Sequence, residues 1–262
     1  MLCPDRKSGT LKQTSSKPGV YIVSLNNTRT VIIGGTSGIG LAIAHAVKQA
    51  GGLPIIVSSQ KSKVDTALNV LGDQTDGCVA DVRDDAALQA LFERIGAFDH
   101  LVFTAGESLK LGLINELPLV EARAFFDVRY WGAYNAARHA ARFIRPGGSI
   151  TFSSGIAGQR PPQAGWALGA SLCAAMEGLT RALAIELKPL RVNIVSPGFV
   201  RTPLWNDIPE TDREAMYKDA GGKLPVGRVG LPEDLAAAYL FLMQQKFATG
   251  QTLVIDGGGM LV

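Results

Sequence analysis

A chain of 262 residues is long enough to bury a sizeable core and short enough to be one α/β domain. An apolar share of 47% excludes a disordered chain, and a net charge of +3 without a dense Lys/Arg run interleaved with aromatics argues against a nucleic-acid partner. The three cysteines (Cys3, Cys78, Cys173) and three histidines (His45, His100, His139) have no regular spacing, which leaves neither a disulfide framework nor a metal site and points to a reducing compartment.

Residues 1–28 form a polar N-terminal extension without the apolar core of a signal peptide. Tyr21-Ile22-Val23 reads as ordered tail rather than a strand. No twenty-residue apolar run is recognised further on, so the expectation is a cytoplasmic protein with no membrane partner. From Thr30 onward short Val/Ile-rich runs alternate with amphipathic segments. The predicted strands are Thr30–Ile33, Leu53–Ser58, Gly77–Ala80, His100–Phe103, Ser149–Ser153, Arg191–Val195 and Thr252–Ile255. They show little in/out alternation, as expected of strands buried on both faces of a parallel sheet. The predicted helices are Ile39–Gln49, Asp84–Ile95, Pro118–Phe143, Ala170–Leu187 and Pro232–Gln244. Gly51-Gly52 ends the first, and Pro232-Glu233-Asp234 opens the last with proline and acid in its first turn. The alternation specifies a doubly wound, mostly parallel seven-stranded Rossmann-type sheet over 29–262, in a single domain. The stretch from Phe199 to Gly230 breaks the pattern. It is irregular, contains Trp205, and follows a strand's carboxyl end, where open α/β sheets bind ligands. It reads as a substrate lid.

The sharpest local signal is Val31-Ile32-Ile33-Gly34-Gly35-Thr36-Ser37-Gly38-Ile39-Gly40. A buried strand runs into a glycine-rich turn, and a helix starts directly after it. Glycines let backbone amides approach a pyrophosphate, and the helix N-terminus adds roughly half a positive charge. Gly34, Thr36, Ser37, Gly38, Ile39 and Gly40 are therefore the candidate phosphate cradle.

With Asp81-Val82, Thr104-Ala105-Gly106, Ser196-Pro197-Gly198, Thr202 and Asp256-Gly257-Gly258 at matching intervals, the chain resembles the short-chain dehydrogenase/reductase family from residue 29 onward. The resemblance implies that Asp81 and Val82 contact an adenine and that Thr104, Ala105 and Gly106 line the dinucleotide. It implies that Pro197, Gly198, Val200 and Thr202 hold the nicotinamide, and that the protein is a homodimer or homotetramer. The second strand ends in Ser58, Ser59, Gln60 and Lys61, with Lys63 nearby. No carboxylate stands there to hold a ribose 2′-hydroxyl, and the side chains present can donate to a 2′-phosphate, so NADPH is favoured over NADH.

The family's proton relay is missing. In the frame Ser153–Gly158 and Ala174–Thr180, its tyrosine position is Gly169 and its lysine position Cys173. Its serine falls at Gly155 or Ser154, and its asparagine is Arg129. Three readings follow. The enzyme reduces a substrate that is already electrophilic, such as an iminium. Alternatively, another residue assists a carbonyl reduction, with Arg129 stabilising a developing anion. In the third, the chain is a non-catalytic NADP(H)-binding sensor or scaffold. The pattern is similar to the bifunctional reductase/Diels–Alderase group of fungal prenylated-indole alkaloid biosynthesis, which implies a bulky polycyclic substrate. Arg129 is a pocket cation or a partner of Asp127. Trp166 is an aromatic wall or core packing. Cys173 reads as a small core residue.

Overall fold

The computed structural model describes residues 24–262. Most of the N-terminal extension, with Tyr21-Ile22-Val23 and Cys3, lies outside the described residues. Seven strands form one sheet: β1 Arg29–Ile33, β2 Leu53–Ser58, β3 Asp76–Val79, β4 Phe98–Phe103, β5 Ile144–Ser153, β6 Arg191–Pro197 and β7 Thr252–Ile255. Their order is β3-β2-β1-β4-β5-β6-β7, and every neighbouring pair is parallel. The chain winds outward from β1 in one direction and then resumes at β4 on its other side. The crevice between the carboxyl ends of β1 and β4 is thus the switch point, where such sheets bind ligands.

The helices are α1 Gly38–Gln49, α2 Lys61–Leu71, α3 Asp85–Ile95, α4 Leu119–Phe126, α5 Ala133–Ala140, α6 Ala167–Glu186, α7 Glu210–Lys223 and α8 Pro232–Gln244. Val31 and Ile33 face the core shared with α3, α5 and α6, whereas Ile32 faces the one shared with α1 and α8. All three are buried, each contributing on the order of 1.5–3 kcal/mol. The two-sided burial that makes these strands uniformly apolar is what the sequence displays.

Five expectations are corrected. β3 is an edge strand with exposed residues, so burial on both faces holds for the central strands and not for it. The helix α2 was not expected: its apolar residues Val64, Ala67 and Leu71 are outnumbered by polar ones, and Lys61 opens it instead of ending the second strand, which stops at Ser58. The segment Pro118–Phe143 is not one helix, because a π-helical turn, Asp127–Gly132, joins α4 to α5. The stretch 199–230 is not wholly irregular either. It holds α7, which buries only Tyr217 and Gly221 and so shows no apolar period.

Helix α6 is long and apolar enough, by length and composition, to cross a membrane, contrary to the expectation that no such run exists. Its residues Gly169, Leu172, Met176, Thr180 and Leu183 recur at helical spacing along one buried face, as in a core helix.

Beneath the sheet's centre His100 is buried, its Nδ1 2.9 Å from Ser149 Oγ. Desolvation, with Arg191 adding repulsion and Asp99 opposing it, pushes its pKa down to about 4. Between about pH 6.5 and 4 the unfolded chain therefore binds a proton that the native state refuses, and stability falls as the pH falls through that window. Urea unfolding should show His100 contributing a loss of about 3 kcal/mol across it. The His100→Gln variant should have a flatter profile there, and identical slopes for the two proteins would exclude His100 as the cause.

Candidate active site

The turn after β1 is built by close approach. Gly34 has φ +88°, and a Cβ on it would lie 2.5 Å from the Ala105 amide nitrogen and 2.8 Å from its Cα. A Cβ on Gly40 would lie 2.6 Å from Thr104 Oγ1 and would overlap the Gly34 carbonyl. The ends of β1 and β4 therefore meet as bare backbone. Thr104 fastens them, its hydroxyl donating to the carbonyl of Ile33 at 3.2 Å. Ser37 is the N-cap of α1, but its side chain caps nothing and no acid stands in the first turn. The first amides of α1 and their partial positive charge are left for an anion, and Thr36, Ser37 and Ile39 are not buried. Thr202 and Pro203 lie against Gly38, so the segment after β6 crosses directly over the turn. These residues fit a dinucleotide pyrophosphate.

The other predicted cofactor residues lie around this crevice. Pro197 ends β6, and Gly198 is pressed against Asp256, 2.6 Å from its Cα as measured from a built Cβ. Val200 is buried and bridged to Gly230. Ala105 packs against the core, and Val82 is buried against Gly132 of the π turn. Asp81 does not offer a free carboxylate. Arg83 grips it, donating from Nε at 3.0 Å and from Nη2 at 2.7 Å, and holds it below the usual carboxylate range. An arginine two residues past the aspartate was the available signal for this clamp.

At the end of β2, Ser59, Gln60 and Lys61 are exposed and Ser58 is half-buried. Lys61 Nζ is 2.7 Å from Asp65, so its charge is offset, whereas Lys63 has no ion pair among the described residues. Gln60 stands at the N-cap of α2 but its side chain caps nothing, and the first turn contains no acid.

The positions of the missing relay converge. A Cβ on Gly155 would lie 3.3 Å from Cys173 Sγ, whereas Ser154 Oγ donates to the Cys173 carbonyl at 3.1 Å. Of the two candidates, Gly155 is therefore the one aimed at the site, and Ser154 is turned onto α6. A Cβ on Gly169 would lie 3.1 Å from Cε3 of Trp166, so the half-buried indole covers the position where a tyrosine side chain would begin. Arg129 projects from the π turn over Gly106, and its Nη2 donates to the Glu107 carbonyl. It makes no salt bridge among the described residues, with Asp127 or any other acid. Burial pushes its pKa below the ordinary value, opposed by the Cys173 thiolate and the Glu107 carboxylate. The guanidinium stays charged in the accessible pH range. Burial raises the Cys173 thiol, which Ser154 and Arg129 lower in part. The Glu107 carbonyl was not foreseeable, because a backbone acceptor leaves no mark in sequence.

Around the mouth, Gly112 donates its amide to the Gly165 carbonyl at 3.1 Å, tying the β4–α4 loop to the segment carrying Trp166. Trp205 is turned back on the strand end: its Nε1 donates to the Val200 carbonyl at 3.1 Å, and its ring packs 4.7 Å from Phe199. Tyr217 of α7 joins this cluster under the Arg201 guanidinium, 4.3 Å from the ring centre.

A family model described as enoyl-(acyl carrier protein) reductase matches residues 34–259. The short-chain dehydrogenase/reductase malC of Malbranchea aurantiaca is 32% identical over 254 residues, covering 90% of this chain and 96% of its own. A solved structure of the MalC reductase/Diels–Alderase from the same organism superposes with a TM-score of 0.84 at 31% identity, covering 91% of this chain and 98% of that one. A small-chain dehydrogenase crystallised in complex with NADPH superposes with a TM-score of 0.77 at 37% identity, covering 90% of this chain and 100% of that one.

Proposed function

The chain belongs to the short-chain dehydrogenase/reductase family of oxidoreductases, and we propose that it is an NADPH-dependent reductase of a cyclic iminium or imine in a bulky, alkaloid-like substrate. The observation that carries this is a dinucleotide cradle opening onto Gly155, Gly169 and Cys173, where the family's tyrosine and lysine are absent, beside the Arg129 guanidinium. Gly34 to Gly40 and the first turn of α1 would hold the pyrophosphate. Ser58, Ser59, Gln60 and Lys63 would hold the 2′-phosphate, and Pro197, Gly198, Val200 and Thr202 the nicotinamide. The bound dinucleotide supplies hydride at its nicotinamide ring.

A ketone that takes up hydride becomes an alkoxide, which must be protonated or stabilised. An iminium carbon becomes a neutral amine, so the lost tyrosine and lysine are no handicap. The Trp166 indole over Gly169 and the Cys173 thiol against Gly155 replace the relay with an aromatic and weakly polar surface, against which a polycyclic ring system would lie. Arg129 holds an amide or enolate oxygen of that substrate and fixes its orientation, while Trp166 forms the flat wall opposite. The segment 199–230, anchored through Phe199, Trp205 and Tyr217, serves as the lid over the site. The same enclosure supports a second step. Where the accepting ring is a conjugated cation with further C=N and C=C bonds, one hydride leaves a neutral azadiene, and holding it between the Arg129 guanidinium and the Trp166 indole restricts it to few conformations, which suits cycloaddition. The likeness to a reductase/Diels–Alderase favours this.

Stereospecific delivery of deuterium from C4-labelled NADPH to the former iminium carbon is the expected result with a panel of cyclic iminium substrates. Simple ketones should remain unreduced at ordinary enzymatic rates of about 1–1000 per second. No deuterium transfer across the panel would replace the reductase reading with that of a dinucleotide-binding sensor. Ordinary ketone turnover would reveal an efficient acid at another residue.

A further inference from the structure

We propose that Gly106 is a positioning residue for Arg129: the absent side chain at 106 opens the slot in which the guanidinium lies, and thereby fixes where the pocket's positive charge stands. A Cβ built on Gly106 would lie 2.6 Å from Arg129 Cζ and 3.0 Å from Nη2, too close for any real side chain. What it meets is the far end of a flexible side chain and not backbone. An alanine at 106 therefore displaces the guanidinium and leaves the fold in place.

The rest of Arg129's surroundings hold it only loosely. Among the described residues it pairs with no carboxylate; its one hydrogen bond goes to the Glu107 carbonyl, and the Phe125 ring centre is 5.8 Å from Cζ. A buried ion pair would pull a displaced guanidinium back, whereas a slot and one carbonyl do not. The other half of the device is the π turn Asp127–Gly132. Its wider winding re-aims the residues it carries, and π turns recur at functional sites for this reason. The turn seats against Val82 through Gly132, where a Cβ would lie 3.0 Å from the valine Cβ. Gly106 thus clears space for the guanidinium, and Gly132 lets the turn that carries Arg129 seat against Val82.

The role of this placement in hydride transfer rests on the reductase reading, but the placement itself can be read without turnover. Cys173 feels the Arg129 charge, which lowers its thiol, and the Glu177 carboxylate, which raises it, and so serves as reporter. The pH profile of Cys173 alkylation by iodoacetamide, followed by peptide mass spectrometry on the full dinucleotide-free chain, measures how near the cation stands. Arg129→Ala should move the midpoint to higher pH. Gly106→Ala should move it at least half as far, and the double variant no further than Arg129→Ala alone. In an Arg129→Lys background, where one compact ammonium replaces the planar fork, Gly106→Ala should leave the profile in place. If Gly106→Ala alone fails to fold, Gly106→Ala with Arg129→Lys should fold. Failure of both overturns the proposal.

The proposal also falls if the Gly106→Ala profile coincides with that of the unmodified protein, or if Arg129→Ala leaves Cys173 unmoved. An equal shift by Gly106→Ala in the Arg129→Ala background would likewise overturn it, because the methyl would then act on Cys173 directly. Shifted profiles in a protein that reduces no iminium leave the slot standing and remove the reductase reading.

Discussion

Replacing Arg129 with alanine lowers turnover of a cyclic iminium substrate by about tenfold or more and leaves NADPH affinity within about threefold. The asymmetry follows from where the side chain sits. The guanidinium lies over Gly106 and beside Cys173, at the vacated relay, while the pyrophosphate cradle is built from Gly34 to Gly40 and the first turn of α1. Removing it takes away the cation proposed to orient the substrate, and orientation alone accounts for several kcal/mol of a typical barrier reduction. The helix amides that would meet phosphate are untouched. Stopped-flow single-turnover reduction, with calorimetric titration of NADPH in parallel, separates the two effects. An Arg129→Ala protein that binds NADPH poorly yet turns over normally at saturation would place the residue in the cofactor site and end the proposed role.

NADPH binds at least about tenfold more tightly than NADH, about 1.4 kcal/mol, and Ser59→Asp reverses the order. Three features converge at the end of β2. Ser58, Ser59 and Gln60 offer donors and no carboxylate. The first turn of α2 contains no acid, so its partial positive charge is uncancelled. Lys63 has no ion pair among the described residues, whereas Lys61 is engaged with Asp65 at 2.7 Å. Lys61→Ala should therefore cost less than Lys63→Ala, since an exposed charge already paired contributes little. An aspartate at 59 sets a carboxylate against the 2′-phosphate, and even at a protein-surface dielectric two like charges about 4 Å apart repel by about 4 kcal/mol before salt screening. Calorimetry with both dinucleotides on both proteins reads this directly. Equal affinities in the unmodified protein would remove the argument from the missing carboxylate.

The sequence carried the central strands because their side chains are buried on both faces: Ile32, Ile33, Ile55, Ile56 and Val57 cannot be polar on either side. The glycine cradle was equally legible, since Gly34 and Gly40 are held to glycine by backbone a few ångströms away. The edge strand β3 and the polar helices α2 and α7 were not. Each buries few residues, so the apolar period that announces an element is absent from them.

At the site, the sequence by itself determined what is missing. No tyrosine or lysine stands at Gly169 and Cys173, and Arg129 replaces the asparagine, because the identity of a residue at a counted position needs no coordinates. Tertiary structure alone decided what fills the space. It turned Ser154 onto α6 and aimed Gly155 at Cys173, laid the Trp166 indole over Gly169, and folded Arg129 across Gly106 onto the Glu107 carbonyl. It also turned Trp205 back to the Val200 carbonyl. These outcomes depend on side-chain direction, on the extra winding of a π turn and on backbone acceptors. None of the three leaves a residue-type signature, so composition and spacing identified the groups while packing between distant segments set where each one points.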